Sequence, residues 1–97
     1  MFVAITTVPV AAGSIDSLAE LFDATNRELV AGHEEWLGAW FTADREASEV
    51  TVIARWASAA AYERLRDSDE YRAALAPFAE SFTGPPVISV KEILVEM

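Results

Sequence analysis

The sequence contains no cysteine, a single histidine and only four glycines among its 97 residues. The lack of cysteine excludes disulfides, zinc knuckles, iron–sulfur clusters and thiolate catalysis. The four glycines are dispersed, so neither a GxGxxG dinucleotide loop nor a GxxxxGK[ST] phosphate loop is present. A flavin or nicotinamide enzyme is therefore disfavoured.

Basic residues are also scarce, since 7 lysines and arginines face 16 acidic residues for a net charge of −9. Such a surface repels phosphates, so we expect no nucleic-acid binding and no attachment to an anionic membrane. No apolar run approaches the ~20 residues that cross a bilayer, and the first residues do not resemble a signal peptide. We expect one cytoplasmic domain over residues 1–97, and its charge leaves a small, largely neutral ligand open.

The hydrophobic periodicity predicts six elements in the order βαββαβ. The four predicted strands are Phe2–Val10, Trp36–Ala43, Glu49–Trp56 and Val87–Met97. The first helix is expected to begin near Ser14 or Ser17 and to end at Gly32. The second is expected to begin at Ser58 and to end at Gly84.

Two features predict an interruption of the second helix. The segment Asp67–Glu70 offers a fresh N-terminal cap, which predicts a break there. Pro77 lacks a backbone N–H, which predicts a kink or a restart.

The element order is that of the ferredoxin-like α+β fold, a four-stranded antiparallel sheet with two helices on one face. The free face of such a sheet should be polar, but these strands are apolar on both faces. In the second strand, for example, Trp36 and Trp40 are expected on one face, with Leu37 and Phe41 on the other. We therefore expect a homodimer packed sheet to sheet, in which a second copy covers the apolar face.

Aromatic residues are the most informative side chains for function. Eight of them are expected between the sheet and the helices: Phe22, Trp36, Trp40, Trp56, Tyr62, Tyr71, Phe78 and Phe82. A pocket lined by aromatic groups with a few polar points is how proteins bind small flat molecules. Packing of a solid core would account for the same residues equally well.

The single histidine, His33, follows the first predicted helix in the sequence HEE. One histidine with Glu34 and Glu35 is a poor match for the two-histidine-one-carboxylate iron site, so we expect no metal. A solvated loop histidine and an acid or base at a pocket both remain open, because an imidazole serves in either setting.

Four local motifs resemble the antibiotic biosynthesis monooxygenase family. They are the strand end ARWAS, the tyrosine six residues after its tryptophan, the segment DSDEYRAAL and the closing FTGPP. With the element order, these motifs cover nearly the whole chain. The resemblance implies a dimeric α+β barrel.

One branch of that superfamily oxidises phenolic or anthrone-like polyketides to quinones with molecular oxygen and without a cofactor. Trp56, Tyr62 and Arg72 stand at the positions of a tryptophan, a tyrosine and an arginine in that branch. We expect Trp56 to stack on the ring or to donate from its indole N–H, and Tyr62 to hydrogen-bond a ring oxygen or to relay its proton. Arg72 is expected to stabilise the developing phenolate or a bound oxygen anion, and His33 is a reserve base. Nine residues are expected to bind the substrate: Thr6, Phe22, Asn26, Trp36, Trp40, Val52, Tyr71, Phe78 and Phe82.

The sequence departs from this branch at one position, because Val52 stands where the branch has an asparagine four residues before the tryptophan. A second branch degrades haem, but Thr6, Leu65 and Leu75 replace its asparagine, tryptophan and axial histidine, so haem degradation is not expected. The alternative from another class is a dimer of the same fold that binds or isomerises a small metabolite.

Overall fold

The computed structural model describes all 97 residues and contains four strands and three helices. The strands are β1 (Phe2–Pro9), β2 (Trp36–Asp44), β3 (Glu49–Trp56) and β4 (Val87–Glu92). The helices are α1 (Ile15–Val30), α2 (Ala59–Arg66) and α3 (Asp69–Ala79). None of the helices has the length and apolar character needed to cross a membrane.

The strands form one antiparallel sheet in the order β2-β3-β1-β4. This arrangement confirms the ferredoxin-like α+β fold expected from the sequence. The number of helices is corrected from two to three, because the predicted second helix is divided between Arg66 and Asp69. The division falls within the segment Asp67–Glu70, where the sequence predicts a break.

Two serines begin the two short helices. The hydroxyl of Ser58 accepts a hydrogen bond from the N–H of Ala61 at 3.2 Å, and that of Ser68 accepts one from Tyr71 at 3.1 Å. Ser14 precedes α1 but does not cap it, since its hydroxyl donates to the carbonyl of Ala11 instead.

The expectation that a helix restarts at Pro77 is wrong. Helix α3 continues through Pro77 to Ala79, its last residue. Pro77 lies only two residues from the end of the helix, so the chain has little helix left to redirect.

Strand β2 contains a β-bulge that corrects the predicted alternation of its side chains. Trp36 is opposite Trp56, but Gly38 is opposite Arg55, so Leu37 is an extra residue. Beyond the bulge, Trp40 is opposite Ile53. Trp36 and Trp40 therefore lie on opposite faces of the sheet, because the inserted residue shifts the period of two.

The last predicted strand is shorter than expected. Strand β4 pairs only with β1, and the ladder ends where Phe2 meets Glu92. Strand β1 begins at Phe2, so it offers no strand residue as a partner for the chain after Glu92. The N–H of Ile93 donates a hydrogen bond to the carbonyl of Met1 at 3.0 Å. Leu94 and Val95 are consequently exposed, 82% and 76%.

The helices cover one face of the sheet, where the two clusters of buried residues lie. One cluster comprises Ala4, Trp56, Ala61, Tyr62 and Leu65, and the other Val8, Val10, Ile15, Leu18 and Val50. The opposite face carries apolar side chains with no covering element, including Trp40, which is 55% exposed, and Val87, which is 65% exposed.

Candidate functional site

A cavity of about 130 Å³ lies between the helix-facing side of the sheet and the three helices. Sixteen of its 19 lining residues are hydrophobic, so water in it would find few hydrogen-bonding partners. The floor includes Val50, Val52 and Ala54 of β3, and α1 contributes Phe22, whose ring centroid is 5.2 Å from that of Phe41. The cavity is suited to an apolar, flat molecule.

The few polar groups of the cavity come from four different elements. Thr6 is on β1, Thr25 and Asn26 are on α1, Tyr62 is on α2 and Tyr71 is on α3. A ligand could therefore be held by polar contacts from both the sheet side and the α1 side.

The Tyr62 hydroxyl is the most informative polar atom at this site. Tyr62 is 6% exposed, and its hydroxyl is buried without a hydrogen-bond partner. Thr6 and Arg66 lie close enough to favour the phenolate, but neither completes a hydrogen bond to the hydroxyl. A buried hydroxyl without a partner costs about 1 to 3 kcal/mol, which a ligand with a suitable oxygen would recover.

Burial dominates the ionisation of both phenols. It raises the pKa of Tyr62 above 10.0, its ordinary value, although Thr6 and the positive charge of Arg66 lower it in part. Burial also raises the pKa of Tyr71, the neighbouring Tyr62 raises it further, and Arg66 opposes both effects. Both phenols are therefore neutral at pH 7 and can donate hydrogen bonds.

Trp56 lies behind Tyr62 instead of lining the cavity. It is 2% exposed, and its ring meets that of Tyr62 at 6.0 Å between centroids with an interplanar angle of 60°. Its indole N–H is buried without a partner. In this structure Trp56 contacts a cavity residue, so the expected direct stacking on a ligand is not the observed arrangement.

His33 borders a different feature, an open polar groove on the other side of Trp56. Glu35 also borders this groove, where it accepts hydrogen bonds from Ser58 at 2.9 Å and Arg64 at 3.2 Å. His33 itself is exposed and does not line the aromatic cavity. No group of three or more histidine, aspartate and glutamate side chains is placed to hold a metal ion.

Three other expected site residues also lie outside the cavity. Arg72 is on the exposed side of α3, where its guanidinium is 3.1 Å from the carboxylate of Asp69 and its side chain is 70% exposed. Trp36 packs against the cluster of buried residues that contains Trp56. Trp40 faces away from the helices because of the β2 bulge.

The structure brings most of the expected binding residues together. Those that line the cavity are Thr6, Phe22, Asn26, Val52, Tyr62, Tyr71, Phe78 and Phe82. Sequence reasoning missed further aliphatic and aromatic lining residues, among them Leu18, Leu29, Phe41, Val50, Leu65 and Leu75. Leu18 and Leu29 belong to a repeat at intervals of three and four residues along α1, which indicates one helix face but does not separate cavity walls from a solid core. The members of this repeat are Ile15, Leu18, Phe22, Thr25 and Leu29.

Comparison with protein families supports a relationship over most of the chain. A family model described as antibiotic biosynthesis monooxygenase matches residues 1–77. A comparison with curated proteins found no match.

Solved structures of similar fold cover nearly the whole chain. The monooxygenase from the gene ActVA-Orf6 of Streptomyces coelicolor, in complex with the ligand Nanaomycin D, is 25% identical with a TM-score of 0.81, covering 99% of this chain and 89% of that chain. SnoaB, a cofactor-independent oxygenase from Streptomyces nogalater, is 12% identical with a TM-score of 0.79, covering 99% of this chain and 95% of that chain. Rv0793 from Mycobacterium tuberculosis is 20% identical with a TM-score of 0.77, covering 98% of this chain and 96% of that chain.

Proposed function

The chain belongs to the antibiotic biosynthesis monooxygenase family, and from this premise we propose that it is a cofactor-independent monooxygenase. Its substrate would be a phenolic or anthrone-like aromatic, a polyketide or a quinol, which molecular oxygen converts to a quinone. The neighbours include proteins described as a monooxygenase and as a cofactor-independent oxygenase, which supports this class of reaction.

The observation that carries the proposal is the buried, unpartnered hydroxyl of Tyr62 at an apolar, aromatic cavity. Such a hydroxyl can hydrogen-bond an oxygen substituent on an aromatic ring. The surrounding apolar walls exclude water from a reactive intermediate. A polar ligand without a flat apolar body would leave most of these walls without contacts.

The chemistry that this site would support balances with oxygen as the only oxidant. Loss of a ring-activated proton gives an electron-rich anion that transfers one electron to oxygen. The resulting substrate radical and superoxide combine to a carbon-bound peroxide. Cleavage of its O–O bond with loss of the remaining hydrogen at that carbon leaves one oxygen atom in the new carbonyl and releases the other as water.

The chain's own residues would orient the ring and hold its charge during these steps. Tyr62 would donate a hydrogen bond to the ring oxygen or relay its proton, and Asn26 would hold the α1 side of the ligand. Trp56 would fix the ring of Tyr62 from behind through their edge contact. We assign no role to His33 or Arg72, since neither lines the cavity.

We also propose that the protein is a homodimer joined through the uncovered sheet face. Val3, Ile5 and Ile53 are on this face with the exposed Trp40 and Val87. Trp40, Ile53 and Ile5 are consecutive partners across β2, β3 and β1, and an apolar row of this kind on an acidic protein favours contact with an identical surface.

Oxygen uptake by the metal-stripped protein with dithranol, an anthrone, in the dark tests the proposed activity. We expect uptake above the buffer rate with a parallel rise in quinone absorbance and no added cofactor. The matched control is Tyr62→Phe, which keeps the ring and removes only the hydroxyl.

Dithranol that binds without oxygen uptake would contradict the monooxygenase assignment. That result would favour the alternative, a dimer that binds or isomerises a small metabolite in the same cavity. Val52 supports the alternative, because it places an apolar side chain in the cavity floor where the oxygenase branch has an amide. A gain of oxygen uptake in Val52→Asn would then show that the valine at this position is the reason why the parent protein takes up no oxygen.

A further inference from the structure

One arginine, Arg66, differs from the other five in its surroundings. Most of the others have strongly exposed side chains, as at Arg27, 78%, or Arg72, 70%. Arg55 is more buried but lies on the opposite sheet face, where it pairs with Glu96. The Arg66 side chain is only 35% exposed and lies on the helix-covered side of the sheet.

Arg66 lies over the face of the Tyr62 ring, with its guanidinium carbon 5.6 Å from the ring centroid. The two residues are four positions apart on α2, the spacing at which helical side chains meet. A guanidinium at this distance is attracted by the negative face of an aromatic ring. The arrangement therefore holds a positive charge directly behind a phenol that lines the cavity.

The acidic partner of Arg66 does not fully neutralise it. Asp67 contacts the Nε atom at 3.5 Å, the longest of the six ion pairs in the structure, and its own side chain is 71% exposed. No carboxylate other than that of Asp67 forms an ion pair with Arg66. Solvent screens the charge of Asp67 more than it screens the partly buried guanidinium. The positive charge of Arg66 therefore acts on Tyr62 more strongly than the negative charge of Asp67 does.

We propose that Arg66 is the positioning residue that stabilises negative charge at the Tyr62 end of the cavity, so that the cavity selects a phenolic or enolic ligand in its anionic form. Arg66 acts through Tyr62, which lines the cavity and whose hydroxyl would meet the ligand oxygen. The ligand class in this inference rests on the proposed function. The position of Arg66 over the Tyr62 ring is observed in the structure and does not depend on that function.

The groups around Tyr62 leave Arg66 as the one cation there. Thr6 of β1 and Trp56 of β3 are uncharged neighbours. Tyr71 of α3 is titratable, and the only anion acting on Tyr62 is Asp67, whose effect on its pKa is the weakest. Loss of the Arg66 charge should therefore move Tyr62 towards a higher pKa.

The chain offers a direct measurement, because Tyr62 and Tyr71 are its only tyrosines. In a Tyr71→Phe background, the near-ultraviolet absorbance of phenolate reports on Tyr62 alone. We expect Arg66→Gln to raise the pKa of Tyr62, with a phenolate fraction about threefold lower at a fixed pH below the midpoint. In Arg66→Lys, which retains the charge, the titration midpoint of Tyr62 should lie closer to that of the parent protein.

Arg27→Gln is the matched control, since it removes an equal charge from an exposed α1 position. Equal midpoints for Arg66→Gln and the parent, or equal shifts for both glutamine variants, would overturn the proposal. Arg66→Met, which keeps the apolar stem, replaces Arg66→Gln if that variant does not fold.

The titration uses neither ligand nor oxygen, so it separates this inference from the proposed activity. A shifted Tyr62 midpoint without oxygen uptake supports the role proposed for Arg66 and contradicts the monooxygenase activity. Oxygen uptake without a shifted midpoint contradicts the role of Arg66 and supports the monooxygenase activity. A second readout is dithranol binding, whose increase on deprotonation of the ligand should be smaller in Arg66→Gln than in Arg27→Gln.

Discussion

At the scale of single residues, the site is defined by polar atoms that are buried without partners. The hydroxyl of Tyr62 and the indole N–H of Trp56 both lack a hydrogen bond, although each residue is at least nine-tenths buried. Buried polar groups are normally paired, and a catalytic role or a bound molecule is one explanation of an exception. Only Tyr62 lines the aromatic cavity, so it is the residue on which function should depend most.

Tyr62→Phe should separate activity from stability. The change removes a hydroxyl with no partner, so we expect the free energy of unfolding to stay within about 1 kcal/mol of the parent or to rise. Turnover of dithranol should fall by about 10²-fold or more if the hydroxyl relays a proton. Steady-state oxygen uptake and chemical denaturation measure the two quantities on the same preparation.

Tyr71→Phe provides the matched comparison, since it removes the same atom from the neighbouring phenol of the cavity. An equal loss of turnover in both variants would show that the cavity needs two phenols. A loss of stability in Tyr62→Phe without a change in turnover would contradict the role assigned to its hydroxyl.

At the scale of elements, the bulge in β2 decides which aromatic side chains reach the cavity. If every residue of β2 were paired regularly, Trp36 and Trp40, four residues apart, would share a face. The bulge instead directs Trp40 outwards and Phe41 inwards, where Phe41 packs against Phe22. Gly38 makes this possible, because its φ of 145° lies in a region that favours glycine.

Gly38→Ala should therefore destabilise the protein even though an added Cβ would meet open space. We expect a loss of about 1 to 3 kcal/mol in the free energy of unfolding from backbone strain. Ala43→Ser, a small change at an exposed position with regular pairing in the same strand, should cost less than about 0.5 kcal/mol. Urea denaturation of both variants makes the comparison, and equal stabilities would show that the bulge tolerates a side chain.

At the scale of the whole molecule, one face of the sheet is covered by helices and the other has no cover. Trp40 and Val87 are more than half exposed on that second face. Exposed apolar surface of this kind favours association. A second copy is the occupant that we propose, and it would leave the cavity on the opposite side of each sheet accessible.

Trp40→Glu should shift the protein from dimer to monomer, since it places a charge in the centre of the proposed contact. Sedimentation equilibrium at micromolar concentration measures the change. Ala24→Glu, an exposed α1 position away from the sheet face, is the control and should remain dimeric. A parent protein that is monomeric at all concentrations would contradict the proposed homodimer.

Local patterns in the sequence determined the elements and their order. The period-two strands, the serines before α2 and α3 and the break at Asp67–Glu70 depend on neighbours along the chain, so they were predictable. Phe22, Asn26 and Phe82 were expected at the site from the resemblance, and they line the cavity. The composition by itself excluded cysteine chemistry and phosphate loops, because the chain lacks the residue that the first needs and the glycine spacing that the second needs.

Only the tertiary structure decided which side chains share the site. A single extra residue in β2 reversed the face of Trp40, and no local signal reveals an insertion whose effect depends on pairing with β3. Whether Trp56 lines a cavity or lies behind Tyr62, and whether Arg66 or Arg72 is the nearby cation, depend on how α2 and α3 pack on the sheet. Such contacts join residues far apart in the chain, so periodicity cannot determine them.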